Sequence, residues 1–350
     1  MLFLVLIFVS IFASWQGVSA SNAVAVDHSS DVNGTKQYVG AALYVNTLTE
    51  SIKTEPSGIF SGPSESTTLP DQYSPDWLTP SLTSASNAAG GPPVLVAVLD
   101  TGIDKNHEDL AGRVVAEIAF SESPAVADFY GHGTPIAGII AADADNDVGI
   151  AGIAPESFLI NVKVANDDGS CSLAALASGI VWAVDSGARV INISIELKES
   201  APVLQEALDY AWEKGALVIA AAGNDGSSLP VYPAAYDSCL AVTAIQENGT
   251  LAPLANYGNW VDVAAPGMYV YSTLPGNQYG YKHGTSFATA YVSGLAAVLF
   301  SLATDTSGDG RLNDEVRQAI EDGCDALDIA GTGRGLINVA ASVAALVPEQ

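Results

Sequence analysis

The chain has 350 residues, of which 49% are hydrophobic and 15% are charged, so it can bury a sizeable core and is too apolar to be wholly disordered. Its 12 Lys and Arg residues are set against 39 Asp and Glu residues, which gives a formal net charge of −27. Such a field repels phosphate backbones and anionic lipid, so we expect neither a nucleic acid partner nor stable membrane association. Solubility alone is the other explanation of this charge.

The first 92 residues differ from those that follow. Residues 2–14 form an unbroken apolar run that ends shortly before Val18-Ser19-Ala20, which predicts a signal peptide over 1–20 and a secreted protein. No Lys or Arg precedes the run, and an uncleaved anchor is the alternative. Residues 21–92 are rich in small polar residues, Gly and Pro, and are interpreted as a pro-segment, an amino-terminal arm, or both. No later segment is predicted to span a bilayer.

From residue 94 onward, short apolar runs alternate with helical patterns. Buried strands are predicted at 94–100, 158–164, 189–195, 216–223 and 239–245. Helices are predicted at 173–187, 201–215, 286–303 and 313–322, and another is expected to begin near His132. This alternation predicts an α/β fold over 93–346, with a doubly wound, mainly parallel sheet and helices on both faces.

Three polar residues stand where a parallel sheet collects its reactive groups. Asp100 ends the first buried strand, His132 opens a helix within Gly-His-Gly-Thr, and Ser286 opens the longest helix within Gly-Thr-Ser. A serine hydroxyl becomes a nucleophile when an imidazole takes its proton, and a carboxylate orients that imidazole. Alone, each residue is more often a cap or a turn former, but their joint occurrence predicts a catalytic triad.

Asn224 follows the predicted strand at 216–223. Its amide is a candidate hydrogen-bond donor to a developing oxyanion, and a turn residue before Asp-Gly is the alternative.

Four sequence blocks, in this order, carry a resemblance to a known family: VAVLDTGID, GHGTPIAGIIAA, AAAGN and GTSFATAYVSG. They resemble the signature blocks of the subtilisin-like serine proteases, and the similarity extends over about 94–343. The resemblance implies an endopeptidase that works through an acyl-enzyme, with Asp100 as orienter, His132 as general base and then acid, and Ser286 as nucleophile. It also implies an oxyanion hole made by Asn224 and the Ser286 backbone N–H. We expect a monomer whose partners are protein or peptide substrates.

The same resemblance implies two walls for the substrate. One wall, made by Ser194, Ile195 and Glu196, would pair with the substrate backbone as an added strand, and the other would be lined by Ala221, Ala222 and Gly223. Glu196 stands where the family usually has Gly. Its side chain would narrow the cleft or favour basic residues in the substrate, unless it points to solvent.

The acidic loop at 142–155 resembles the calcium loop of this family. The resemblance implies that Asn146, carbonyls around it and Asp109 supply hard oxygen ligands, so calcium is expected as a structural cofactor. Asp145 and Asp147 add further charge to the loop. A solvated loop without metal is the alternative.

Cys171, Cys239 and Cys324 are widely spaced and odd in number. One disulfide with a free thiol is possible in an exported protein, and the spacing does not choose the pair. The interpretation favoured here is that they are small buried apolar residues.

Two other functional classes are alternatives to this one. An α/β-hydrolase esterase would need a G-x-S-x-G elbow, which is absent, and a different chain order of its triad. A catalytically inactive binding protein is the stronger alternative, because the blocks around His132 and Ser286 carry substitutions.

Overall fold

The structure is a computed structural model that describes residues 51–53, 92–144 and 146–346. The predicted signal peptide (1–20), most of the predicted pro-segment or arm (21–92) and the candidate calcium ligand Asp145 lie outside these residues.

A seven-stranded sheet forms the centre of the protein. Its strands are β2 (Leu95–Asp100), β3 (Val114–Ala119), β4 (Phe158–Lys163), β6 (Val190–Ile193), β7 (Leu217–Ala221), β8 (Cys239–Ile245) and β9 (Val263–Pro266). Their order is β3-β4-β2-β6-β7-β8-β9, and every neighbouring pair is parallel. Two antiparallel pairs lie outside this sheet: β1 (Ser51–Lys53) with β5 (Ser170–Ser172), and β10 (Val270–Leu274) with β11 (Gln278–Lys282).

Helices cover both faces of the sheet, which confirms the predicted fold class. One core cluster packs α1 (Gly133–Ala141), α4 (Thr285–Leu302), α5 (Asn313–Asp322) and α6 (Val339–Leu346) against one face. The other packs α2 (Leu173–Asp185) and α3 (Pro202–Glu213) against the opposite face. Because the central strands are covered on both faces, they are continuous apolar runs rather than alternating ones.

The helices begin where the sequence provides a start signal. Ser172 caps α2, since its Oγ accepts a hydrogen bond from the Ala175 backbone N–H at 3.1 Å. Pro202 is the first residue of α3, a position where its missing N–H costs no intrahelical bond. In α1, Pro135 lies in the first turn, as expected of a proline inside a helix.

The long helix α4 corrects one expectation. By its length and composition this helix could cross a membrane, so the prediction that no segment after the amino-terminal run is apolar enough was wrong. However, 89% of the helix is buried inside the protein. It packs against α1 and against β6, β7 and β8, so it is the central helix of the core, and it carries Ser286 in its first turn.

The three cysteines are free thiols. Cys171 and Cys239 are buried, as expected for small apolar residues, and Cys324 is half-buried. Burial raises the pKa of each thiol, that of Cys324 to about 12, so none of them is poised to act as a thiolate nucleophile.

Candidate active site

The carboxyl edge of the parallel sheet gathers the candidate residues. The strands β2, β6 and β7 are neighbours in the sheet, and each leads into a segment that carries candidates. These are Asp100 at the end of β2, Ser194, Ile195 and Glu196 after β6, and Ala221, Ala222, Gly223 and Asn224 at the end of β7. The helices α1 and α4 begin at the same edge, where His132 immediately precedes α1 and Ser286 is the second residue of α4.

His132 and Asp100 form a buried hydrogen-bonded pair. The His132 Nδ1 atom lies 2.8 Å and 2.9 Å from the two carboxylate oxygens of Asp100, and both residues are 1% exposed. A carboxylate only accepts, so Nδ1 donates and Nε2 is left free to accept a proton. A Cβ on Gly133 would lie 2.1 Å from the Gly102 carbonyl oxygen, so only glycine lets the start of α1 approach the end of β2 this closely.

A second buried carboxylate, that of Asp128, holds the turn in front of His132. It accepts hydrogen bonds from the Thr101 hydroxyl at 2.7 Å and from the backbone N–H groups of Gly131 and Thr134 at 2.7 Å and 2.8 Å. Asp128 therefore ties the residue after Asp100 to the segment that carries His132. Asp128 is not among the residues that the sequence motifs indicate, although an Asp shortly before a glycine turn is a known signal for such backbone bonds.

Lys163 stabilises the segments next to Asp100 and Asp128 through hydrogen bonds from its buried side chain. Its side chain is fully buried, and its Nζ donates to the backbone carbonyls of Thr101 and Ala127 and to the Asp167 carboxylate. A buried ammonium with three acceptors is satisfied, and here it fixes the residues that follow Asp100 and precede Asp128. No motif pointed to Lys163, because it lies inside an apolar strand.

The pKa of His132 is raised above its ordinary value. Burial lowers this pKa, but the charge of Asp100, its hydrogen bond and the charge of Asp128 together raise it by more, and Lys282 lowers it slightly. The pKa of Lys282 is itself lowered, mainly by burial and against the charge of Asp128. The imidazole is therefore a stronger base than a free histidine.

Asn224 is held beside the start of α4. Its Oδ1 accepts hydrogen bonds from the Thr285 backbone N–H at 2.8 Å and from the Thr285 hydroxyl at 3.1 Å, and that hydroxyl accepts from the Gly223 N–H at 3.1 Å. Since Oδ1 is engaged, the amide NH₂ group is left as a donor. The N–H of Ser286 is a second donor, because the second residue of a helix has no carbonyl one turn earlier.

The start of α4 contacts His132 through Phe287, the residue after Ser286. Among the described residues, no hydrogen bond joins Ser286 Oγ to His132 Nε2, but the ring of Phe287, the next residue, has its centroid 5.7 Å from that of the imidazole. Ser286 itself is buried. The structure thus brings Asp100 and His132 into direct contact and places the start of α4 next to them.

The two predicted substrate walls lie side by side. Ser194 is held by the amide of Asn192, which donates to its Oγ at 3.4 Å, while Ser293 in α4 donates to the Asn192 Oδ1 at 3.0 Å. A Cβ on Gly223, whose φ is +92°, would lie 2.0 Å from Glu196 Oε2, so the two segments touch through the Glu196 carboxylate. Glu196 is only 9% exposed, and the alternative that it points to solvent is wrong. Its burial follows from the neighbouring position of β6 and β7, which sequence alone does not give.

The candidate calcium ligands Asp109 and Asn146 are in contact. Buried Asp109 accepts hydrogen bonds from the Asn146 amide at 2.7 Å and from the Ile150 N–H at 2.9 Å. Asp147 is exposed, and the described residues contain no group of three or more His, Cys, Asp or Glu side chains that could hold a metal. Asn146 presents its NH₂ group to Asp109, while its Oδ1 accepts from the Val148 N–H at 3.1 Å. The residue types suit calcium, which prefers carboxylate, amide and carbonyl oxygens, and the Asn146 amide would have to rotate to bring its oxygen beside Asp109.

At the carboxyl edge of the parallel sheet, an imidazole is paired with a carboxylate beside a helix that carries a serine in its first turn. This arrangement is typical of a serine hydrolase. Comparison with known proteins gives the family. The model of the Subtilase family, Peptidase S8, matches residues 91–332. The chain is 40% identical to thermitase of Thermoactinomyces vulgaris over 270 residues, which cover 76% of this chain and 94% of thermitase. It is 40% identical to subtilisin DY of Bacillus licheniformis over 258 residues, 72% of this chain and 91% of that protein.

A thermophilic serine proteinase of Bacillus sp. (strain AK1) is 45% identical over 239 residues, or 68% of this chain, and the match spans 57% of that relative's length. The chain belongs to the subtilase family and is a serine-type endopeptidase, which confirms the resemblance drawn from the four sequence blocks. This membership decides against the α/β-hydrolase esterase.

Proposed function

We propose that this protein is a secreted endopeptidase that hydrolyses peptide bonds through an acyl-enzyme on Ser286. The observation that supports it most directly is the buried pair of His132 and Asp100, joined at 2.8 Å beside the helix start that bears Ser286.

In the proposed reaction, Ser286 Oγ attacks the carbonyl carbon of the scissile bond while His132 Nε2 takes the hydroxyl proton. Asp100 holds the imidazole in the required tautomer and stabilises its cation. The carbonyl oxygen becomes an oxyanion that accepts hydrogen bonds from the Asn224 amide and the Ser286 N–H. His132 then gives the proton to the leaving amine, and water repeats the sequence on the ester, which releases the acid and restores Ser286.

The substrate backbone is proposed to lie in an extended conformation along Ser194, Ile195 and Glu196. Because this segment continues β6 at the carboxyl edge of the sheet, an extended peptide can add to it by main-chain hydrogen bonds. Ala221, Ala222 and Gly223, which continue β7, would line the opposite wall. Such binding recognises the backbone of a substrate more than its sequence, so proteins and peptides are the expected partners.

Calcium is proposed to act as a structural ion held by Asp109 and Asn146, with Asp145 and Asp147 adding charge to the loop. We further propose removal of 1–20 on export, a pro-segment or arm over 21–92, and a peptidase domain over 93–346. Support for export comes from the apolar run at 2–14 and its small-residue finish.

The test compares the full chain with its Ser286→Ala variant in a secreting host. We expect the wild type to hydrolyse casein and to react with diisopropyl fluorophosphate at Ser286, and the variant to lose roughly 10⁴- to 10⁶-fold in kcat. Ser301→Ala, the same change near the far end of α4, should keep full activity. The amino terminus of the secreted product should lie at or beyond Ser21.

A folded wild type, loaded with calcium, that neither cleaves casein nor takes the label would contradict the proposal. It would favour the inactive binding protein instead.

A further inference from the structure

Glu196 presents a carboxylate oxygen that receives no hydrogen bond from the part of the chain that the structure describes. Its side chain is more than nine-tenths buried, its Oε1 accepts from the Lys198 ammonium at 2.6 Å, and its Oε2 has no partner among the described residues. A buried acceptor without a donor is costly, so the usual expectation is that some other group supplies one.

Lys198 bridges two carboxylates in what we call the Glu196 cluster, formed by Glu196, Lys198 and Asp225. Its ammonium pairs with both Glu196 and Asp225, so two negative charges and one positive charge leave the cluster with one net negative charge. The Lys198 side chain is 60% exposed, so its ammonium can turn into solvent and remain hydrated when another cation pairs with Glu196. An incoming cation therefore competes with Lys198 for the buried carboxylate.

The cluster adjoins the proposed nucleophile. Glu196 Oε2 lies against Gly223, whose N–H donates to the hydroxyl of Thr285, and Thr285 directly precedes Ser286. Asn256 fixes this wall, since its amide donates to the Ala222 carbonyl and its Oδ1 accepts from the N–H groups of Asp225 and Ser227. The unpartnered oxygen thus lies where the two proposed substrate walls meet, against Gly223.

We propose that the Glu196 cluster selects substrates with Lys or Arg immediately before the scissile bond, whose cationic group donates to Glu196 Oε2 and displaces Lys198. The inference rests on the proposed function, because it places the substrate between these walls. A guanidinium or ammonium supplies the donor that the buried carboxylate lacks and neutralises the remaining charge.

Bulk is the competing explanation of the same geometry. In this explanation, the Glu196 side chain beside Gly223 acts only by narrowing the cleft. Small substrate residues would then be preferred whatever their charge. The two explanations respond differently to substitution. Glu196→Gln removes the charge and keeps the volume, whereas Glu196→Gly removes both.

The experiment uses the secreted full-chain enzyme and tetrapeptide p-nitroanilides that differ only in the residue before the scissile bond. Lys and norleucine form the matched pair, since they have similar length and differ in charge. We expect wild-type kcat/KM to favour Lys over norleucine by about tenfold or more, and Glu196→Gln to reduce this Lys-to-norleucine ratio by roughly 10- to 100-fold. Lys198→Met should raise the ratio, because it removes the internal competitor.

The controls carry the same charge changes at the opposite edge of the sheet. Glu213→Gln and Lys214→Met, both exposed at the carboxyl end of α3, should leave the ratio unchanged. A Lys-to-norleucine ratio that stays the same in Glu196→Gln and in Lys198→Met would overturn the proposal. If Glu196→Gly cleaves faster after bulky neutral residues while Glu196→Gln leaves the specificity unchanged, the bulk explanation is established instead.

A binding measurement separates this inference from the proposed function. The Ser286→Ala chain is titrated calorimetrically with the Lys and norleucine peptides, with and without Glu196→Gln. If the wild type cleaves nothing, yet the Lys peptide binds more tightly and loses this advantage in Glu196→Gln, the proposed function fails and the cation site stands. Equal affinities for the two peptides would overturn the cation site whether or not the wild type is active.

Discussion

At the scale of single residues, the site depends on how two carboxylates act on one imidazole. Asp100 contacts His132 directly, whereas Asp128 acts through space and through the turn that it anchors. A raised pKa means that the imidazolium persists to higher pH. Since the proposed general base is the neutral imidazole, activity should be lost as the pH falls through this raised pKa.

We expect the acidic limb of kcat/KM to have its midpoint above pH 6.5, the ordinary pKa of histidine. Asp128→Asn removes a charge that raises the pKa of His132, so the midpoint should move to lower pH by roughly 0.5 to 1 pH unit. The measurement is a pH profile with a neutral peptide. Asp209→Asn removes the same charge from an exposed residue of α3 and should not move the midpoint. If the midpoint also stays unmoved in Asp128→Asn, Asp128 only shapes the turn and does not act on the pKa of His132.

Sequence blocks led to Asp100, His132, Asn224 and Ser286, because their glycine-flanked contexts are local. The supporting contacts are not local. Asp128 bonds Thr101 across 27 positions, and Lys198 pairs with Asp225 across another 27. Such pairs follow from which strands become neighbours, and no short motif encodes them.

At the scale of elements, apolar periodicity predicted the buried strands and the main helices. The predicted strand at 239–245 and helix at 313–322 match β8 and α5 residue for residue. The strands β3 and β9 were not predicted. They lie at the two edges of the sheet; β3 is largely half-exposed and β9 has only four residues, so neither shows the long apolar run of a central strand.

The loop at 142–155 joins two other elements. Its Asp143 N–H donates to the carbonyl of Asp109, which lies in a short 3₁₀ helix (Glu108–Leu110), and its Ile153 N–H donates to the carbonyl of Ile139 in α1. A calcium ion at Asp109 and Asn146 would fasten the end of α1 to this turn. Ion binding at this loop should therefore stabilise the whole domain.

Chelation with EDTA should lower the Tm of the wild type by about 5 to 10 °C, the shift expected when an ion at about a hundred times its Kd is removed from a domain of this size. Asp109→Asn should show a much smaller response to EDTA, while Asp147→Asn, at an exposed position, should respond more like the wild type. The measurement is thermal unfolding with 1 mM calcium or excess EDTA. Identical melting of the wild type in both would contradict the calcium proposal.

At the scale of the whole molecule, the net charge of −27 acts over distances that no single contact covers. A field of this sign attracts cationic peptides from solution and is weakened as salt shortens the screening length to about 10 Å at 0.1 M. This long-range effect is separate from the Glu196 cluster, which acts only after binding.

We expect kcat/KM for a peptide with lysines far from the scissile bond to fall several-fold between 10 mM and 0.5 M NaCl. A neutral peptide of the same length should change by less than about twofold. Glu196→Gln should show the same salt dependence as the wild type, because it alters one charge among 39 carboxylates. A neutral peptide with an equal decline would indicate that salt acts on the enzyme itself.

The residues that gather at the carboxyl edge of the sheet reach it from five elements, β2, β6, β7, α1 and α4, which are made at different times during translation. Asp100 and His132 are made early, but the Ser286 hydroxyl on which they would act in the proposed mechanism belongs to α4 and follows 285 earlier residues. A nascent chain that stops short of this helix would carry the proposed base without its nucleophile. On that mechanism, the order of the elements delays peptidase activity until most of the chain has been made.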